Sequence, residues 1–316
     1  MFEKLTVSST PHILSKNTTS KIMTHVVIAL LPATLGALYF FRLEAAVIIF
    51  LSIATAVLSE WGIQKIRKQP ITINDMSAVV TGLLLGLNLS ASVPWWIPVI
   101  GSAFAVIVVK QIFGGIGQNF MNPALAARIM LTISWTGRMT NWISPGADAV
   151  STATPLSYVK GFNVIPENAP RIFDMFIGNI GGSLGETSAL LLIIGGLYLV
   201  FKGIISYKVP LAFIGTVAAI TLIYGGFDFS FMSYHVFSGG LMIGAIFMAT
   251  DYSSTPITMK GRIIFALGCG IITSFIRLYG AFPEGVGFSI LLMNMSAPLI
   301  EKYTRPRVFG GGKQNA

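Results

Sequence analysis

Ten apolar runs follow one another along the chain, near residues 22–41, 45–63, 76–93, 95–113, 122–135, 186–201, 209–227, 235–249, 261–279 and 285–300. The longer ones reach the ~20 residues with which an α-helix crosses the hydrocarbon core of a bilayer. In lipid the backbone must satisfy its hydrogen bonds within the segment, so runs of this kind predict helices and exclude open sheets. Composition agrees, with 53% hydrophobic and 10% charged residues, against roughly 25% charged in soluble domains. A length of 316 residues holds ten such helices with their connections and leaves no room for a large water-soluble domain. The net charge of +9 does not point to nucleic acid, because the basic residues form short clusters between apolar runs. A single cysteine, Cys269, excludes a disulfide or a cysteine-ligated cluster built from this chain alone, and His12, His25 and His235 are too scattered for a zinc pattern. The first 21 residues are polar, and no cleavable signal peptide is expected.

The predicted fold is an all-α polytopic membrane protein of about ten transmembrane helices. Alternate connections carry most of the Lys and Arg: Lys65, Arg67 and Lys68, then Lys110, Lys202 and Lys208, Lys260 and Arg262, Lys302 and Arg305. The other connections hold Arg42, Arg138, Lys160, Arg171 and Arg277. The positive-inside rule therefore places both termini in the cytoplasm. The third and eighth runs share a Gly-x-x-x-Gly step, Gly82/Gly86 and Gly240/Gly244, followed by a Ser-rich tail that ends at Pro94 or Pro256. Each is third in a set of five, so two five-helix repeats are expected, 1–135 and 186–316. An odd number of crossings per half makes the second copy inverted, with broken helices meeting near the midplane. Gly-x-x-x-Gly is also an ordinary packing step of membrane helices.

Residues 136–185 form the one long polar connection, placed by this topology on the outer face. They contain Asp148-Ala149-Val150-Ser151-Thr152-Ala153-Thr154-Pro155-Leu156. Small residues around a threonine suit a modifying enzyme and leave space for a bulky adduct; the same run also reads as a plain flexible loop. In the fifth apolar run Arg128 needs a counter-charge or a polar cavity. Gln118, Asn119 and Asn122, in the Gly114–Ala124 stretch, offer amides to a ring or a cap to the next helix. Acids at or near run ends, Glu60, Asp75, Glu186, Glu284 and Glu301, read as interfacial charges. Asp251 stands out among them, because Thr250, Tyr252, Ser253 and Ser254 place further oxygens beside it, as a hard cation requires.

The Asp148–Leu156 run resembles the acceptor motif of flavin transferases. With the Gly114–Ala124 stretch and the pattern of runs, the whole chain is similar to the RnfD/NqrB family of ion-translocating electron-transport proteins. The resemblance implies FMN joined through a phosphoester to Thr154, with Asp148 and Ser151 read by the transferase. Thr152 stands where the family usually has glycine, and spacing from Asp148 and Ala153 still selects Thr154. It further implies a ferredoxin- and NAD-linked translocase of the inner membrane that moves Na⁺ or H⁺, with the A, B, C, E and G components of the Rnf complex as partners, and it allows a second, noncovalent flavin (riboflavin). Asn119, Asn122 and Arg128 are the other candidate cofactor contacts; no metal centre is expected. Two competing readings are a urea-channel-like solute channel and a cofactor-free scaffold protein.

Overall fold

The computed structural model describes residues 18–145, 153–160 and 169–306. Among these the chain is helical, with one isolated antiparallel bridge, Ser90 to Ser183, and no strand. In order come α1 (Thr19–Ile66), α2 (Ser77–Leu87), α3 (Trp96–Phe104, prolonged by a π-helical stretch Ala105–Gln111) and α4 (Pro123–Ser134). The short helices α5 (Thr136–Met139), α6 (Pro155–Val159) and α7 (Ile172–Ile177) follow. Then come α8 (Ala189–Phe201), α9 (Lys208–Tyr224), α10 (Phe229–Phe237), α11 (Leu241–Ile243, prolonged by a π-helical stretch Gly244–Met248), α12 (Met259–Tyr279) and α13 (Val286–Thr304). By length and composition α1 and α12 are each able to cross a membrane, and α10 with α11 makes a third such segment, bent by 65°.

The first helix is a hairpin. Drawn straight, its 48 residues would run about 72 Å. Yet Ser20 at its start donates to Asn74 O (3.0 Å), while Gln64 near its end accepts from Thr72 N (3.0 Å). Both ends therefore reach the same turn, and the chain reverses at Arg42, whose φ of 50° and ψ of −125° lie outside the helical region. The break divides the first two apolar runs where the sequence divides them. The arm 43–66 packs closely on α2: a side chain at Gly82 would start 2.7 Å from Ser52 O and 2.8 Å from Ile53 Cα. Leu30, Leu85, Leu87, Ile97, Leu125, Leu131, Phe213 and Phe265 form the buried core between the helices.

Two helices stop inside the molecule, and each free end is capped according to its polarity. α2 ends at Leu87, leaving carbonyls that need donors. Asn88 and Leu89 donate to the carbonyls of Leu84, Leu85 and Gly86, and a segment from the far half of the chain completes the end, with Gly185 N donating to Leu87 O (2.7 Å) and Leu184 N to Leu89 O (2.9 Å). α10 ends before Gly239, whose φ is +67°, and α11 starts with a bare amide that needs an acceptor. The Glu284 carboxylate takes it, with Gly240 N donating to Oε1 at 2.6 Å.

Two charges expected at interfaces are buried instead. Glu60 and Lys110 are 1% and 2% exposed. Lys110 Nζ donates to Glu60 Oε1 (2.8 Å), Glu60 Oε2 (2.9 Å) and Ser77 Oγ (2.6 Å), and Gln111 Nε2 adds a bond to Glu60 Oε1 (2.7 Å). All three ammonium protons are thus used, and the arm 43–66, α2 and the end of the α3 stretch are tied together. Removing one partner strands the other charge. Glu60→Gln should lower stability by about 3–5 kcal/mol, seen as a fall in the thermal melting temperature of the purified protein. The double change Glu60→Met with Lys110→Met should recover most of that loss.

Candidate functional site

The sites lie at two levels along α4. Asn122 starts this helix, its side-chain oxygen accepting from Ala124 N (3.1 Å) and Leu125 N (3.2 Å), with Pro123 at the first helical position. At that end Asn119, Asn122, Pro123 and Asp251 line a cavity with Ser77 and Lys110. Asp251 also borders a neighbouring groove of about 530 Å³ that is lined by both Thr19 and Glu301, so the two described chain ends lie at this same end of the bundle. Asn119 Nδ2 donates to Ser253 Oγ (3.0 Å), and the Asp251 carboxylate accepts from Ser253 Oγ (3.0 Å) and Ser254 Oγ (2.9 Å).

Further along α4, Arg128, Ile129 and Thr132 line a different cavity of about 340 Å³. Its other walls include Trp142, Ala153, Thr154, Leu156, Glu186 and Glu284, with Phe282 and Phe288 stacked at 5.4 Å. Thr154 precedes α6, and Pro155 at the first helical position fixes where that helix begins. Leu156 then rests on the α10–α11 break, its Cδ1 within 2.6 Å of where a side chain at Gly239 would begin. Thr154 and Arg128 therefore share one chamber, while Asn119 and Asn122, grouped with them in the sequence, belong to the other end. Asp148, Ser151 and Thr152 lie outside the described residues.

Arg128 is the centre of a buried cluster. Its Nη1 donates to Asn88 Oδ1 (2.7 Å) and lies 3.1 Å from Glu186 Oε1; its Nη2 donates to Glu284 Oε2 (2.6 Å). Glu186 and Glu284, expected as interfacial charges, are thus the counter-charges of Arg128. The reason is local: the chain before α8 folds inward to pair with 87–89, and the chain before α13 meets the α10–α11 break, so run boundaries here face the interior. Arg277, expected in an outer connection, is 2% exposed and donates to His235 O (2.5 Å) and Ser238 O (3.3 Å). Gly240 makes room for this cluster: a side chain there would collide with Glu284 Oε1 and begin 2.8 Å from Glu186 Oε1 and 3.4 Å from Arg128 Nη1, so the charges would have to move off one another. Charge in an apolar run was the signal for Arg128; nothing in the spacing of Glu186 or Glu284 marked them as its partners.

The chain matches the model of the NQR2, RnfD, RnfE family over residues 6–310. It is 52% identical, over 97% of its own length and 95% of the relative's, to the D component of the Na(+)-translocating ferredoxin:NAD(+) oxidoreductase complex of Acetobacterium woodii. It is 45% identical, over 96% of each chain, to the D component of the proton-translocating ferredoxin:NAD(+) oxidoreductase complex of Clostridium ljungdahlii. It is also 39% identical, over 93% of each chain, to the D component of the ion-translocating oxidoreductase complex of Stutzerimonas stutzeri.

The packing at the break makes a contrast between two glycines. Gly240→Ala should destabilise the purified protein by about 1–3 kcal/mol, since the added methyl must push the carboxylates off Arg128 and the Gly240 amide. Gly215→Ala, in α9 with nothing within 4 Å of the added carbon, should leave the melting temperature unchanged or raise it slightly.

Proposed function

This chain belongs to the NQR2, RnfD, RnfE family, and on that basis we propose that it is the D component of an Rnf-type ion-translocating ferredoxin:NAD(+) oxidoreductase complex, carrying electrons on FMN bound through a phosphoester to Thr154. The observation that carries this reading is the chamber shared by Thr154 and Arg128. A cofactor on the threonine hydroxyl has beside it a cavity of about 340 Å³ with the stacked Phe282 and Phe288 and the Trp142 indole for a planar ring. That combination of apolar walls and a few convergent polar groups is what ligand sites use. The flavin supplies one-electron chemistry; the chain supplies position, an apolar wall and the Arg128 cluster beneath it. Asp148 and Ser151 are proposed to be read by the transferase that attaches it. Glu186 and Glu284 already compensate the Arg128 charge, so Arg128 organises the chamber floor and is not the partner of a phosphate.

We further read the bundle as ten crossings in two inverted halves, with α2 and the α10–α11 pair as the broken helices. The α1 hairpin and the shared groove of Thr19 and Glu301 support an even number of crossings. The charge bias puts that groove on the cytoplasmic side and Thr154 outside. The relatives' names differ in the ion, one Na(+) and one proton, so the fold accommodates either. Asp251, in a turn rich in hydroxyls at the cytoplasmic end, is the proposed point of ion entry; the cavity with Asn119 and Asn122, of about 90 Å³, is too small for the proposed second flavin, riboflavin, which needs the neighbouring groove of about 530 Å³. The remaining Rnf proteins would supply the electron donor and acceptor.

A phosphoester needs the hydroxyl, so Thr154→Val should insert and assemble normally yet lose the flavin fluorescence that survives denaturing electrophoresis, whereas Thr152→Ala should keep it. Retention of fluorescence in the valine variant, or its absence from wild-type protein made with an active transferase, would sink the assignment. Asp251→Asn should lower ion translocation at limiting cation concentration with covalent flavin intact. Reporter tags at the N-terminus and at Ala316 should both report cytoplasm, and one at Asn163 the outer side.

A further inference from the structure

We propose that Glu186, held with Glu284 on Arg128 at the Gly239–Gly240 break, is the group that takes up a proton when negative charge arrives on the cofactor at Thr154. The proposal rests on the Thr154 reading, but the geometry behind it stands separately. Two carboxylates and one guanidinium are in direct contact, and all three converge where a side chain at Gly240 would stand. Two acids around one cation resist being ionised together, so one of them is the natural acceptor of an incoming proton.

The hydrogen bonds decide which one. Glu284 has both oxygens engaged: Oε1 accepts from Gly240 N (2.6 Å) and Oε2 from Arg128 Nη2 (2.6 Å). Glu186 is 6% exposed and lines the cavity. Its Oε1 meets Arg128 Nη1 at 3.1 Å, while that nitrogen gives its shorter bond, 2.7 Å, to Asn88 Oδ1. A buried carboxylate that shares its one cation with a second carboxylate is poorly compensated for lost solvation, and a proton on it removes the charge that makes that loss largest. The other ionisable groups on the surrounding elements, His235, Arg277 and Lys160, do not line the cavity as Glu186 does. Arg128 comes from α4, and Arg277 from α12 donates through Nη1 and Nη2 to the carbonyls of His235 and Ser238, with its Nε unbonded. His235 of α10 has neither ring nitrogen bonded, and Lys160 donates to Ala281 O.

Charge and atoms balance in one step. With one electron from a one-electron donor of the complex on the cofactor, one proton from a hydronium of the bulk solvent, which leaves as water, would convert the Glu186 carboxylate to the acid. When the electron leaves, the carboxyl O–H bond would break and the proton return to bulk water as hydronium. This keeps the chamber's total charge constant, the condition that an apolar surrounding imposes on any charge change.

The test is redox-difference infrared spectroscopy of the purified, covalently flavinylated protein. On reduction a carboxylic acid C=O band should appear, shift in D₂O, vanish in Glu186→Gln, and persist in Glu44→Gln, whose carboxylate is exposed. Covalent flavin fluorescence should be equal in all three proteins, and in Glu186→Gln the flavin potential should lose part of its pH dependence. A wild-type flavin that is reduced without any such band, or a band that survives in Glu186→Gln, would overturn the proton site and leave the Thr154 reading standing. Absence of covalent flavin from the wild type would overturn both.

Discussion

The arrangement hangs on one guanidinium placed between two helix ends of opposite polarity. α2 points its carbonyl end, the negative pole of its backbone dipoles, at the interior; α11 points its amide end, the positive pole. Arg128 reaches Asn88 beside the first, and through Glu284 its hydrogen bonds continue to Gly240 N at the second. Cation beside carbonyls and anion beside amides is the one charge order that both poles favour. A lysine in its place would carry the charge without the flat fork that meets Asn88, Glu186 and Glu284 together. The two helix ends are therefore held at a fixed distance by side chains.

Hydropathy made most of the helices legible, since an apolar stretch in lipid has little choice but to be helical. The α1 hairpin turns at Arg42, between the first and second runs. The third run did not show where α2 stops, because Leu89, Ala91 and Val93 beyond its end are as buried as the helix itself, and hydropathy senses burial, not backbone direction. Glu60, Lys110, Glu186, Glu284 and Arg277 all read as boundary charges for the same reason: the edge of a run looks alike whether it meets water or a folded-in break. Long-range pairing, such as Glu60 with Lys110, leaves no periodic trace in one sequence.

The candidate site was legible in part. Thr154 came from its motif, and Arg128 from being a cation where cations are costly; that they share a chamber required the fold. Asn119 and Asn122 were grouped with them because they are near in sequence, but six residues of helix from Asn122 to Arg128 already amount to about 9 Å, enough to deliver them to separate cavities. The polar groups at one end of α4 and the chamber at the other are joined by a single rigid helix, which keeps the proposed ion entry and the proposed redox chamber in fixed register across the molecule.

The capping of α2 by Leu184 and Gly185 bears on how the protein is made. A chain threaded into the membrane from its N-terminus exposes the carbonyls of Leu87 and Leu89 nearly a hundred residues before their donors, Gly185 N and Leu184 N, emerge. Until then those carbonyls must remain with water or the insertion machinery, so the first half cannot settle in lipid as a finished unit. The backbone pairing of 87–89 with 184–185 acts as a closing step in biogenesis, and it makes completion of the first half conditional on arrival of the second.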